Sequence, residues 1–461
     1  MTIDVLPEDA LLEIFDFYVD ETQIEAWQTL VHVCRNWRNL VFGSPRRLNL
    51  RLNCTARTPV GKMLDIWPPL PIVIKVKMSG VDNIFTLAAL EHKDRITELE
   101  LFDIPPSLDH EVFEAIRHPF PVLTCLQLWP RYETRPVFPS WFLGGSAPRL
   151  QTLILHSISF PGFPTLLLSV TSLVRLHLWN ILPTLVSSYV SPEEMVTGLS
   201  ALTSLDELVI EFGYIGDQKR VHLHPSTRTL LPALTKLRLK WTNGYLENLV
   251  ARIDAPLLDN LEITFFRQLE FNTPQLNQFI SRTPKFKTQY ETRLVFSDKD
   301  ISVTVPQTSD GALNLQLGIL GTWPYWGVLS LTQVCSSSFP QALIPAVERL
   351  YILENGVWDT DNNWRLYSDS SDWLELLHPF TGVKDLYVSS EFTSCITFVL
   401  QELVGERVTE VLPALQTLFL AKPLPLASGP LQEIIEQFVA ARQIAGHPIA
   451  ISRWEGKVGD R

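Results

Sequence analysis

One six-residue pattern recurs along most of the chain: an aliphatic residue, two variable positions, a leucine, one variable position and a second aliphatic residue. The central leucines of the first seven runs lie 23 to 32 residues apart. Alternating apolar positions predict a short strand in each run, and the recurrence predicts strand-and-return units stacked on one core. The ten runs are Ile96–Leu101, Leu123–Leu128, Leu150–Leu155, Leu173–Leu178, Leu205–Ile210, Leu234–Leu239, Leu258–Ile263, Val347–Ile352, Val383–Val388 and Leu415–Leu420.

The segments between the runs complete the predicted units. An interval of 89 residues separates the central leucines Leu261 and Leu350. It has room for three units of roughly 30 residues, with degraded strands near Thr292–Phe296 and Leu313–Leu317. Earlier strands are predicted at Leu48–Leu52 and Ile72–Val76. Helical returns are predicted at Asn83–Ala89, Pro192–Leu199, Tyr245–Arg252, Pro274–Ser281, Asp372–Leu377, Ile396–Val411 and Leu431–Arg442, the last as a C-terminal cap. The competing interpretation is a mixed α/β domain with coincidental leucine spacing.

The first fifty residues follow the 3.6-residue spacing of amphipathic helices instead. Leu6-Pro7-Glu8-Asp9 predicts a helix start, because proline and acidic residues are favoured in the first turn. A second helix is predicted from a cap at Thr22 to Gly43-Ser44-Pro45, with apolar positions from Trp27 to Val41. Both apolar arcs are too broad for two short helices to bury against each other. Either the rest of the chain or another protein's helices is expected to cover the surplus.

Residues 5–46 also resemble the F-box family. That family combines a leucine-proline opening, a leucine-rich helix and a Val-Cys-Arg-x-Trp-Arg helix; the matching residues here are Leu6-Pro7, Leu11, Ile14-Phe15, Leu30, Val33-Cys34-Arg35 and Trp37-Arg38. Two departures are the long segment Asp20–Trp27 and the sequence Ser44-Pro45-Arg46-Arg47, where the family often has Asp-Pro before Leu-Trp. The resemblance implies docking on the Skp adaptor of a cullin-based SCF ubiquitin ligase. The implied adaptor contacts are Leu6, Pro7, Leu11, Ile14, Phe15, Leu30, Val33, Cys34 and Trp37.

The repeated run resembles the leucine-rich repeat, which often has Asn or Cys five residues after the central leucine. Of the units compared, only one conforms, with Asn355; the others have Ile104, Arg131, Ile158, Ile181, Gly213, Thr242 and Phe266. The chain is therefore similar to the divergent repeats appended to many fungal F-box proteins. The resemblance implies an α/β fold with an F-box helical domain at 1–46. It places an irregular solenoid of parallel strands and helical returns at 47–461.

Composition narrows the possible functions. The chain has 461 residues, of which 46% are hydrophobic and 19% charged, and this excludes a disordered protein. Its formal charge of −12 offers no basic field for general nucleic-acid binding. The longest apolar stretch, about 160–174, is interrupted by proline and glycine, so no membrane span is predicted. Five scattered cysteines and an acidic N-terminus favour a reducing compartment, cytoplasmic and/or nuclear.

Strand alternation predicts which side chains face outward. If the central leucine points into the core, positions one and three residues later lie on the open, concave face. One run forms a basic strand on an otherwise acidic chain, because it contains Lys236, Arg238 and Lys240. Our hypothesis is that this face contacts a recruited substrate, because exposed tryptophan and arginine dominate binding hot spots. The alternative is that loops or the C-terminal region cover the tryptophans. The hypothetical contacts are Trp129, His156, Trp179, Arg238 and Lys240.

The sequence contains no P-loop, no GxSxG motif and no dinucleotide-binding fingerprint. No catalytic residue, metal site or cofactor is therefore predicted. The expected function is a non-catalytic substrate-recognition subunit of an SCF-type ligase, which binds the adaptor, through it a cullin, and an unknown protein substrate. The alternative is an interaction scaffold or inhibitor whose N-terminal helices merely cap the repeats.

Overall fold

The computed structural model shows an α/β fold whose strands are mostly parallel. Its contacts divide the chain into two compact units, Met1–Leu205 and Asp206–Arg461. The structure describes residues 6–18, 26–55, 64, 67–78, 83–131, 137, 142–158, 163–181, 190–212, 228–266, 271–286, 291–297, 300–306, 314–320, 327–355, 369–403, 405–421 and 430–455.

The first unit begins with three helices and continues as a parallel sheet whose strands are neighbours in chain order. The helices are α1 (Glu8–Tyr18), α2 (Ala26–Val33), α3 (Arg35–Gly43), α4 (Asn83–Ala89), α5 (Asp109–Ile116), α6 (Phe163–Leu167) and α7 (Pro192–Leu199). The strands are β1 (Leu52–Cys54), β2 (Ile72–Lys77), β3 (Ile96–Ile104), β4 (Cys125–Pro130), β5 (Thr152–His156) and β6 (Arg175–Ile181). Short 3-10 helices lie at Pro106–Leu108 and Phe142–Gly145.

Two expectations for this unit are corrected. The second predicted helix is interrupted at Cys34, whose extended backbone separates α2 from α3 and whose Sγ accepts a hydrogen bond from the Trp37 backbone N–H. The predicted cap Thr22 lies outside the described residues. The strand predicted at Leu48–Leu52 is a turn, with only its last residue in β1. Asn49 has a positive φ there, and the Leu50 N–H bonds to the Pro45 carbonyl.

The second unit contains twelve described strands: β7 (Glu207–Phe212), β8 (Thr229–Leu230), β9 (Lys236–Trp241), β10 (Ile253–Asp254), β11 (Asn260–Phe266), β12 (Glu291–Phe296), β13 (Asp300–Pro306), β14 (Asn314–Leu320), β15 (Arg349–Glu354), β16 (Asp385–Val388), β17 (Thr417–Leu420) and β18 (Ala450–Arg453). Its helices are α8 (Asn243–Val250), α9 (Pro274–Arg282), α10 (Gly327–Ser338), α11 (Ser370–Leu377), α12 (Thr393–Glu402) and α13 (Pro430–Ile444). Short 3-10 helices lie at Pro284–Phe286, Ile344–Ala346 and Gly405–Thr409.

The long interval between repeats holds an antiparallel insertion. Both predicted strands exist, as β12 and β14, but the order across the sheet is β11-β14-β13-β12-β15. β13 runs antiparallel to both of its neighbours, whereas β14 is parallel to β11 and β12 is parallel to β15. The expectation of three successive parallel units is therefore wrong. A three-strand meander occupies this part of the sheet.

The predicted core positions are confirmed. All ten central leucines are buried, each with at most 1% of its surface exposed. A recurring backbone bond joins neighbouring units, as where the Gln151 N–H donates to the Thr124 carbonyl and the Thr124 N–H donates to the Thr97 carbonyl, each at 2.8 Å. The asparagine position of the regular repeat is meanwhile filled by apolar residues such as the fully buried Ile104 and Ile158. Main-chain bonds thus link these units, and the described residues at that position form no continuous asparagine ladder.

The C-terminal helix predicted as a cap is present as α13, and a further strand follows it. β18 pairs in parallel with β17 and ends the strand order of the sheet. The last described unit of the repeat region therefore consists of helix α13 and the strand β18 that follows it.

Candidate functional site

Helix α1 is divided lengthwise into three sectors. Leu11, Leu12 and Phe15 are buried and pack the helix onto its own chain. On one flank, Ile14 and Phe17 are 46% and 90% exposed. Acidic residues occupy the other flank, as the 100° turn per residue requires. The chain has therefore already used one apolar face of α1, and a second apolar stripe is left in solvent.

Further apolar side chains are exposed just before α1, at its end and on α2. We use the term exposed helical face for the solvent-exposed apolar side chains of the first three helices and the residues just before α1. Leu6 is 41%, Tyr18 44% and Val33 56% exposed, and Pro7 is also exposed. The exposed helical face consists of Leu6, Pro7, Ile14, Phe17, Tyr18 and Val33.

The predicted adaptor residues fall into three groups according to their burial. Leu6, Pro7, Ile14 and Val33 belong to the exposed helical face, and Cys34 and Trp37 are half-buried. The other three, Leu11, Phe15 and Leu30, are buried within the chain and stabilise the helices. Phe17 and Tyr18 are also exposed on α1, but the residues that carry the F-box resemblance do not include them. The available signal for them was their spacing from Ile14, three and four residues on.

Trp37 connects the buried and exposed groups. Its ring packs on Phe15 at a centroid distance of 4.7 Å. Its indole Nε1 is buried, and no acceptor for it occurs among the described residues. A buried indole N–H ordinarily has a partner.

The charges around the exposed helical face are segregated. The acids of α1 are exposed, as are Arg35, Arg38 and Arg47. Among the described residues of these helices, one weak ion pair joins the two signs, with 4.0 Å between Arg47 Nη1 and Asp9 Oδ1. Asp9, Glu13 and Asp16 form the acidic flank, and Glu8 is exposed at the start of the helix. A partner would meet apolar surface with charges of opposite sign at its margins.

On the open face of the first unit, aromatic side chains form a row. Trp129 stacks on His156, with ring centroids 4.7 Å apart and planes 9° apart, and on its other side lies Phe102 at 6.0 Å. Trp179 is in register with His156 on the next strand and is half-buried. Three of the hypothetical substrate contacts are therefore neighbours.

A polar network fixes the imidazole in this row. Ser157 Oγ lies 3.0 Å from His156 Nδ1 and accepts a hydrogen bond of 2.8 Å from Asn180 Nδ2. Ser157 and Asn180 both have positive φ, in the left-handed region that turns their side chains toward each other at the strand ends. Burial lowers the pKa of His156, so the ring is neutral near pH 7.

The second unit contains the other two hypothetical contacts, and they do not form a basic patch. Arg238 Nε lies 3.0 Å from Glu211 Oε1 and 3.3 Å from Glu262 Oε1, and Lys240 Nζ lies 3.7 Å from Glu211 Oε2. The predicted cations do lie on one strand, β9, but carboxylates of the neighbouring strands balance the charges of Arg238 and Lys240. Burial raises the pKa of Glu262, and the nearby Arg238 opposes that shift.

Further along the second unit lies an aromatic ladder that sequence reasoning missed. Tyr351, Tyr387 and Phe419 occupy the same register on β15, β16 and β17. Their rings stack at 4.3 and 4.2 Å with planes 9° and 5° apart. Arg293 on β12 lies 5.9 Å from the Tyr351 ring. Each ring follows a central leucine directly, and this shared position was the available signal.

The hydroxyls of this ladder stay protonated at neutral pH. Burial, together with the neighbouring Tyr351, raises the pKa of Tyr387 to about 12. Burial also raises the pKa of Tyr351. The ladder therefore presents uncharged ring edges and hydroxyl groups to any partner.

Within the described ranges, no cluster of three or more His, Cys, Asp or Glu side chains could hold a metal ion. No described helix is both long and apolar enough to cross a membrane. No protein-family model matches the chain, and no curated protein matches it. The candidate binding surfaces of this protein are therefore the exposed helical face and the open face of the sheet.

Proposed function

We propose that this protein is the substrate-recognition subunit of an SCF-type ubiquitin ligase. The first three helices act as an F-box that binds a Skp adaptor and, through it, a cullin scaffold. The strand-and-return units form an irregular leucine-rich-repeat solenoid that holds a protein substrate. The compartment implied by this assembly is cytoplasmic and/or nuclear.

The second apolar stripe of α1 is the observation that carries the proposal. Exposed apolar patches bordered by polar residues mark protein interfaces, and Phe17 alone is 90% exposed. Helices that merely capped the sheet would turn their apolar side chains toward it. The F-box resemblance of residues 5–46 supplies the partner, an adaptor built of helices.

The proposed mechanism is proximity. Tethering substrate and ubiquitin-charged enzyme to one scaffold raises the effective concentration of substrate lysines near the enzyme. The subunit then needs two binding surfaces and no catalytic group of its own. On the substrate side, the proposed contacts are the Trp129, His156 and Trp179 row in the first unit, and Arg238 with Lys240 in the second.

The decisive experiment is co-purification of the full chain with a Skp adaptor. The test variant is Ile14→Ala/Phe17→Ala/Val33→Ala, whose side chains are exposed, so the fold is expected to persist. The matched control is Phe398→Ala, which removes an aromatic ring that is 53% exposed and belongs to α12. A stoichiometric complex with the wild type and control, lost in the triple variant, is the expected result.

The alternative function has its own outcome in this experiment. If the wild type is folded but binds no adaptor, and the triple variant lowers the melting temperature, the helices are a cap and the protein is a scaffold or inhibitor. The substrate contacts are tested separately, by crosslinking. Proteins crosslinked to the wild type should be lost from a Trp179→Ala/Lys240→Ala variant.

A further inference from the structure

The last strand of the second unit is held differently from the strands beside it. At the central position, Leu350, Leu386 and Leu418 are fully buried on β15, β16 and β17. The equivalent residue of β18, Ile451, is 43% exposed. Ala450 and Arg453 are exposed as well. β18 therefore contributes little to the core, although Ile449 just before it is buried.

Backbone hydrogen bonds and one side chain hold β18 in place. The Ala450 N–H donates to the Gln416 carbonyl at 2.8 Å, and the Trp454 N–H donates to the Leu420 carbonyl at 3.4 Å. The Trp454 indole reaches across β17, and its Nε1 donates to the Val388 carbonyl on β16 at 3.1 Å. The indole is thus the main side-chain anchor of the strand.

The anchor rests on the aromatic ladder. Trp454 stands edge-on to Tyr387 at 5.5 Å and to Tyr351 at 6.1 Å, with interplanar angles of 77° and 67°. Edge-to-face contacts of this kind are favourable for aromatic pairs. Opposite Phe419, β18 offers only Ser452, so no fourth ring continues the stack.

These features describe a bound peptide as well as a native strand. An extended segment pairs with a sheet edge through main-chain bonds, and one aromatic side chain enters a site built by other strands. This is the chemistry of strand addition, in which the backbone gives affinity and side-chain pockets give specificity. The difference is that the segment belongs to the same chain.

We propose that β18 and Trp454 form a strap that occupies, in cis, a binding site for an extended peptide segment of a protein partner. The site consists of the outer edge of β17 and the ladder of Tyr351, Tyr387 and Phe419. The partner segment displaces the strap and places an aromatic side chain at the position of Trp454. This inference rests on the proposed function in one respect: it takes the partner to be the substrate that the ligase recruits.

The test uses the full chain and a fluorescent peptide with the sequence of residues 449–455, Ile-Ala-Ile-Ser-Arg-Trp-Glu. Trp454→Ala is expected to bind this peptide at least tenfold more tightly than the wild type, since the anchor of the cis strap is lost. Arg453→Ala, a change on the same strand that leaves the anchor in place, should behave like the wild type. Adding Tyr387→Leu to Trp454→Ala should abolish the gain, as should a peptide with alanine in place of tryptophan.

Equal peptide affinity of the wild type and a folded Trp454→Ala variant would overturn the proposal. Because that variant could lose structure, hydrogen exchange of the wild type provides a second test. The Ala450 and Trp454 amides should exchange at least tenfold faster than those of β16, and equal protection would contradict a displaceable strap. If the wild type forms a dimer by exchanging β18 strands, the segment that binds at the edge of β17 comes from a second copy of this chain. That result would overturn the assignment of a different protein as the partner. Adaptor binding enters none of these measurements, so either proposal can fail alone.

Discussion

The apolar residues of α1 and those of the repeated strands have different environments although they are chemically alike. Leu99, Leu126 and Leu153 are completely buried between sheet and returns. Phe17 lies mostly in solvent and Ile14 is nearly half exposed, although Leu11 and Phe15 of the same helix are buried. The leucines at the central positions of the repeated strands therefore all contribute to the core. In α1, one set of apolar residues contributes to the core and another set is exposed to solvent. This difference suggests where a partner binds, and it can be tested by comparing stability with binding.

The largest effect is expected inside the repeats. Leu126→Ala removes a fully buried side chain and leaves a cavity, and such changes cost about 2–5 kcal/mol of unfolding free energy. Urea unfolding of the full chain, followed by circular dichroism, measures the loss. A loss below about 1 kcal/mol would mean that neighbouring side chains fill the cavity or that water already reaches Leu126. The strand leucines would then not differ from the exposed residues of α1 in their contribution to stability.

The strands of the repeats could be predicted from sequence because their signal is local. A leucine that must be buried on a strand recurs with period two, and all ten predicted runs overlap observed strands. The returns Asn83–Ala89 and Pro192–Leu199 match α4 and α7 residue for residue. The exposed helical face could be predicted only in part, since periodicity identifies an apolar arc and leaves open which side of it the chain itself covers.

Strand order and ion pairing could not be predicted, because both depend on neighbours that are distant in sequence. The meander of β12, β13 and β14 has the same local pattern as successive parallel strands. Arg238 has Glu211 and Glu262 on either side, 27 and 24 residues away. A charge on one strand therefore says little about the charge of the surface. The aromatic ladder, in contrast, was readable, since its three rings share one repeat position.

The second prediction concerns a polar link between returns. The buried Glu247 on α8 accepts hydrogen bonds from the Gln275 and Leu276 N–H groups at the start of α9, at 2.8 and 2.9 Å. Glu247→Ala leaves both donors unpaired and should cost about 2–4 kcal/mol, since each buried unsatisfied group costs roughly 1–3 kcal/mol. Glu247→Gln keeps one acceptor and should cost about half as much. Equal stability of all three proteins by urea unfolding would exclude this capping role.

The same carboxyl group also predicts a pH-dependent effect. Burial raises the pKa of Glu247 to about 7, against the pull of its two backbone donors. Between its ordinary value of 4.5 and about 7, the folded chain holds a proton that the unfolded chain has lost. This contribution to stability is therefore complete below 4.5 and is lost as the pH rises through about 7. The difference in unfolding free energy between wild type and Glu247→Gln should change over that window, and a constant difference from pH 4.5 to 8 would contradict it.

The smallest expected change in stability is at Phe17, and for that reason it is the most informative. The ring is 90% exposed, so Phe17→Ala should alter the unfolding free energy by no more than about 0.5 kcal/mol. The same ring belongs to the proposed adaptor contact, where an aromatic hot spot is worth about 2 kcal/mol, or roughly thirtyfold in affinity. Titration of a Skp adaptor against wild type and variant measures that loss, with Phe398→Ala as the control. A variant that loses stability but keeps adaptor affinity would show that the stripe on α1 belongs to this chain's own fold, and the contrast between the two regions would then be one of packing alone.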